Sequence, residues 1–62
     1  MSGVDWTGGQ IEVVRESSGW GILQRTKDGG LYGMDWQKHR TAAIRSGQSY
    51  AKARGAKLLV EA

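Results

Sequence analysis

Residues 10–25 read QIEVVRESSGWGILQR, and this stretch decides the architecture. Ile11, Val13 and Arg15 alternate with Glu12, Val14 and Glu16. Successive side chains of a strand point to opposite faces, so a period of two rich in β-branched residues predicts a strand. Ser17-Ser18-Gly19 predicts a turn, with Gly19 supplying a positive φ and the serines bonding nearby backbone. Trp20, Ile22 and Gln24 then alternate with Gly21, Leu23 and Arg25, a second strand close enough to the first to form a hairpin.

Outward from this hairpin, Lys27-Asp28-Gly29-Gly30 predicts a tight turn, because Asp-Gly tolerates the positive φ that such turns need. A third strand is expected over Leu31–Met34, with Tyr32, Met34 and Trp36 on one face and Leu31 and Gly33 on the other. The period changes near Asp35. From Trp36 to Arg54 there is no proline and alanine recurs, which favours helix. At helical spacing Trp36, Ala43, Ile44, Gly47, Tyr50 and Ala51 share one stripe, and Lys38, Thr41, Arg45, Gln48, Ser49 and Lys52 lie opposite. Asp35 and Thr41 are the two candidate N-caps. Gly55 is the expected stop, after Lys52 and Arg54, whose charges suit the negative end of the helix dipole. Gly47 on the inner stripe predicts a close approach of the helix to a sheet or a Trp ring. A last strand follows over Ala56–Glu61. The expected fold is α+β: a small antiparallel sheet of three strands plus a C-terminal strand, packed on one helix in the order β-β-β-α-β. Residues 1–9 read as a flexible lead-in and residues 10–62 as a single domain, with Trp6 expected to fold back onto a core edge.

Composition bounds the function. Sixty-two residues allow one domain. A domain of this size buries only roughly 60% of its unfolded surface. The chain has no cysteine and one histidine, so neither a disulfide framework nor a Cys/His zinc site is expected. No apolar run approaches the roughly 20 residues of a membrane span, and no signal peptide is visible, so a cytoplasmic location in a bacterial or phage-infected cell is expected. His39 lacks a carboxylate or nucleophile partner in sequence, and the serines lack a nucleophile-elbow context. Asp28-Gly29-Gly30 has the spacing of neither a P-loop nor a calcium loop. No catalytic residue, cofactor or metal is therefore assigned, and the domain is read as non-enzymatic.

Several of these residues carry a resemblance. Gly19-Trp20 with Ile22, then Ala43-Ile44, Ala51 and Gly55-Ala56-Lys57-Leu58-Leu59-Val60, resemble a family of small bacterial and phage domains of unassigned function. That family shows a Gly-Trp hairpin, an Ala-rich helix and a Gly-Ala-x-Leu-x-Val closing strand. The resemblance covers residues 11–60 and implies the fold, not a function. This chain has His39 where the family opens its helix with Thr. Residues 19–44 are also similar in topology to the amino-terminal DNA-binding domains of phage-type integrases, which would place a three-stranded sheet in the major groove.

The charge is uneven. Residues 1–24 carry a net −2, residues 25–57 a net +6, and the whole chain +3. Lys38, Arg45 and Lys52, spaced by seven, form one row on the outer helix face, and Arg25 and Lys27 flank the Asp-Gly-Gly turn. Together with Gln48 they are the candidate nucleic-acid-binding residues, since a basic helix face and hairpin tip could bracket a phosphate backbone. DNA is expected ahead of RNA. The alternative is a protein-interaction module, such as a phage-encoded inhibitor or accessory subunit, binding one protein through a sheet face or edge with Tyr32, Trp6 or Leu31 as anchors. A homodimer formed by pairing sheet edges stays open under both readings.

Overall fold

The structure, a computed structural model, describes residues 3–62; the first two residues of the lead-in lie outside them. The elements are β1 (Gln10–Glu16), β2 (Gly19–Arg25), β3 (Leu31–Gln37), α1 (Arg40–Arg54) and β4 (Lys57–Val60). The fold is α+β in the order β-β-β-α-β, a four-stranded sheet ordered β3-β2-β1-β4 against one helix. β1–β2 and β2–β3 are antiparallel, and β4 joins β1 in parallel, so the sheet is mixed. A parallel return needs a crossover. Here α1 supplies it, leaving the sheet at its β3 edge and delivering the chain to the opposite edge.

One sheet face meets the helix. Ile11 pairs with Gln24 and Leu58, and Val13 pairs with Ile22 and Val60, which puts the alternating apolar set on that side. Ile11, Val13, Trp20, Ile22, Ala43 and Ala51 form the core, with Met34, Tyr50, Ala56 and Leu58 packed around it. Each fully buried Ile or Val stabilises by about 1.5–3 kcal/mol relative to exposure. The helix stripe is small: Ala43, Gly47 and Ala51 are its buried residues. A Cβ on Gly47 would lie 2.7 Å from Val13 Cγ2 and 3.0 Å from Leu58 Cδ1. The predicted close approach is therefore to the sheet.

Three expectations are corrected. The turn before β2 consists of Ser17 and Ser18, and Gly19 is not among the positive-φ glycines; it already pairs with Glu16. β3 continues to Gln37, so Trp36 is a strand residue and no part of the helix stripe. Met34 is an extra residue in β3, inserted where the register shifts between Ile22 and Leu23. Such a bulge reverses strand parity beyond it. Tyr32 and Met34 remain on the helix side, whereas Trp36 pairs with Gly21 on the other face. Helix α1 is opened by His39, in extended conformation with no side-chain cap, and neither Asp35 nor Thr41 caps it. Its stop is as expected: Gly55 is left-handed at φ 63°, and the Ala56 N–H donates to the Ala51 carbonyl at 3.0 Å.

The lead-in packs on the helix side of the molecule. The Gly8 N–H donates to the Arg54 carbonyl at 2.7 Å, and the Lys57 N–H to the Gly9 carbonyl at 3.1 Å. Trp6 meets Tyr32 edge-on at 5.1 Å and lies 4.9 Å from the Arg54 guanidinium. Trp6 thus folds back onto the core edge.

Candidate nucleic-acid interface

The outer row expected from the periodicity is only partly helical: Arg45, Gln48 and Lys52 lie in α1, whereas Lys38 falls in the bend before the N-cap His39, two residues ahead of the first helical residue. Lys38, Arg45, Gln48 and Lys52 are all exposed. Among the described residues, neither Lys38, Arg45 nor Lys52 enters an ion pair. The first turn of α1 holds no acidic residue, so nothing neutralises the positive end of the helix dipole beside Lys38.

Arg45 also borders a shallow cleft of about 400 Å³ between β3 and α1, with Asp35, Gln37, Ser46, Ser49 and Tyr50. The Asp35 carboxylate accepts from Ser46 Oγ at 2.7 Å, from Gln37 Nε2 at 3.0 Å and from the Trp36 N–H at 2.8 Å. These donors, Ser46 foremost, hold its carboxyl below the usual carboxylate range. The Asp35 carboxylate thus makes the cleft lining anionic, with Arg45 at its border.

The hairpin-tip cations are placed differently. Arg25 Nε donates to Glu12 Oε2 at 2.9 Å, and Lys27 Nζ lies 3.2 Å from Asp5. Gln24 faces the helix, so by strand alternation Arg25 faces away from it. Arg25 therefore lies on the side of the sheet away from the outer helix row, whereas Lys27, beyond the end of β2, is held beside Asp5 and Gly8 of the lead-in. The turn itself is organised by Thr26: its N–H donates to the Gly30 carbonyl at 2.8 Å, and its Oγ1 accepts from the Gly30 N–H at 2.9 Å. Thr26 Oγ1 also donates to Asp28, which with the Gly30 N–H lowers the Asp28 carboxyl from its ordinary value.

Two arrangements escaped sequence reasoning. Arg54 turns inward: its guanidinium donates to Gln24 Oε1 and to Met34 Sδ, and stands between the Trp6 and Tyr50 rings at 4.9 and 5.0 Å. The fully buried Gln24 completes this cluster by donating to the Trp6 carbonyl at 2.8 Å. A Gln on an otherwise apolar strand face is the one sequence signal for it. The second is Trp20, which has the guanidinium carbons of Arg15 and Arg40 at 4.7 and 5.6 Å from its ring centroid. Arg40 adds a further exposed cation near Lys38.

No family model, curated protein sequence or solved structure matches the chain. Among the described residues no three His, Cys, Asp or Glu side chains are grouped to hold a metal ion, and no helix is long and apolar enough to cross a membrane.

Proposed function

We propose that this is a small non-enzymatic domain that binds nucleic acid by its phosphate backbone, through the outer face of α1. The observation that carries the reading is a stretch of charge of one sign. Residues 36–60 hold six Lys and Arg and no Asp or Glu. An ordinary solvated helix mixes both signs, which limits self-repulsion and supplies stabilising pairs. Lys38, Arg45 and Lys52 have no such pairs, so a polyanion is the complement that this face lacks. Gln48 supplies a neutral donor in the same surface. The reading departs from a sheet-first docking, because on the exposed sheet face Glu12 and Glu16 balance Arg25 and Lys57 and leave no net positive charge for phosphate.

The test is a fluorescence anisotropy titration of labelled duplex DNA, hairpin RNA and single strand. Three phosphate contacts predict a salt slope near −2.7, so affinity should fall roughly 40-fold between about 50 and about 200 mM salt. Duplex DNA is expected to bind most tightly. Reversing Lys38, Arg45 and Lys52 to Glu should abolish binding while leaving the circular dichroism spectrum intact. No binding of any polymer at the lower salt overturns the proposal.

A further inference from the structure

The sheet face opposite α1 is bare. Across its rows lie Leu59, Glu12, Leu23 and Gly33, then Val14, Gly21 and Trp36. Trp36, Leu59 and Leu31 are 46%, 48% and 49% exposed. Trp36 does not hang free. A Cβ on Gly19 would collide with its indole, so the ring lies against the bare Gly19 backbone with its outer face open, while the neighbouring Gly21 is covered by the Glu16 carboxylate. Glycine inside a strand weakens it and marks a close approach. Here the approach presents a supported aromatic surface at the β3 edge, with Leu59 at the β4 edge.

We propose that this face is covered by a second copy of the chain, two sheets stacking face to face about a two-fold axis. Four observations single out that occupant. First, the charged residues on the face are Glu12 and Glu16 against Arg25 and Lys57, and Glu12 is paired with Arg25; the face is neutral although the chain carries +3. Arg45 and Lys52 belong to the helix layer on the opposite side, so two copies approach without opposing their basic helix faces. Second, edge pairing is obstructed. The Asp35 carboxylate occupies the Trp36 N–H, Met34 bulges β3, and β4 has only four residues. Bulges and short edge strands are devices against strand addition. Cover therefore comes from above the sheet. Third, the face is self-complementary: a two-fold along the strands sets β3 of one copy over β4 of the other, bringing Trp36 toward Leu59. Fourth, the size suits a weak, concentration-dependent dimer. Three strands of seven residues and one of four, about 4.8 Å apart at about 3.3 Å per residue, give a flat area of ~400 Å², about half the ~800 Å² per partner of a standard interface. The thin core explains the need, since domains this small commonly gain stability by oligomerising.

The test is sedimentation velocity on the full chain without nucleic acid, from about 1 to about 500 µM, since a dimer population follows mass action. The expected result is a shift from monomer to twice its mass within that range, with Trp emission moving to shorter wavelength as Trp36 loses water. Leu59→Lys and Trp36→Lys should each raise the dissociation constant at least tenfold, because the substitution counts twice across a two-fold interface. Both positions are exposed in the monomer, and an unchanged circular dichroism spectrum separates lost association from lost folding. Lys52→Glu should leave dimerisation unchanged. A chain that stays monomeric at the highest concentration overturns the proposal. So does a dimer that both lysine variants leave intact. Neither result bears on binding by the helix face.

Discussion

Gly47 lies mid-helix, where glycine is about 1 kcal/mol worse than alanine. That intrinsic preference favours Gly47→Ala. The packing opposes it: the added methyl would meet Val13 Cγ2 at 2.7 Å, and Val13 is fully buried with no room to yield. Overpacking a tight core costs about 1–3 kcal/mol. The steric term wins, and urea denaturation should show Gly47→Ala to be less stable than the parent. Gln24 gives a second prediction. Replacing it with Leu removes the acceptor for Arg54 and the donor to the Trp6 carbonyl together. Leaving buried partners unsatisfied costs about 1–3 kcal/mol each. The same variant should loosen the lead-in, read as faster hydrogen exchange of the Gly8 amide that bonds the Arg54 carbonyl.

At the scale of elements, β3 is the member whose sequence and structure diverge most. One inserted residue, Met34, sends Trp36 to the open face and leaves Asp35 beside the helix. Asp35 then ties the edge strand to α1 through Ser46. Ser46 foremost, with Gln37 and the Trp36 N–H, holds the folded Asp35 carboxyl below its ordinary value; Thr7 side-chain and backbone donors and Lys27 lower that of Asp5 to about 2. A carboxyl lowered on folding stabilises the protein above its unfolded value near ~3.9 and loses that contribution as pH falls through the folded one. Stability should therefore decline between about pH 4 and pH 2, and Asp35→Asn should show a shallower decline than the parent in urea midpoints across that window. An equally steep decline in the variant would remove Asp35 from this account.

For the whole molecule, the two layers separate charge from apolar surface. Arg45 and Lys52 stand unpaired on the helix side, whereas on the sheet Arg25 is matched with Glu12, and Lys27 at the hairpin tip with Asp5. Exposed pairs of this kind contribute only about 0–1 kcal/mol, so reversing Arg25 or Lys27 should cost little stability. The helix-face reading further predicts that Arg25→Glu and Lys27→Glu each change DNA affinity less than threefold or so, against loss of binding for the helix triple variant. An equal effect from the two sets, measured by the same anisotropy titration, would return the hairpin tip to the interface. A face-to-face dimer would carry its two basic helices on opposite outer surfaces, each free to meet a separate segment of polymer.

Local periodicity by itself determined the order of elements, the helix stripe of Ala43, Gly47 and Ala51, the αL stop at Gly55 and the outward placing of Arg45 and Lys52, whereas Lys38 falls before the helix. Those features depend on neighbours within a turn or a hairpin, which is the range over which side-chain spacing carries information. Tertiary structure alone decided the rest. The bulge at Met34 arises from pairing with β2, so only the register reveals which way Trp36 points. The parallel seat of β4 beside β1 depends on where α1 lands. Arg54 has the sequence of a solvated helix end, yet the Gln24 amide and the Trp6 and Tyr50 rings draw it inward. Arg25 and Lys27 look like free cations until Glu12 and Asp5, 13 and 22 positions earlier, are set beside them. In each case the deciding partner is distant along the chain, and charge, parity and burial are then fixed by the fold rather than by local spacing.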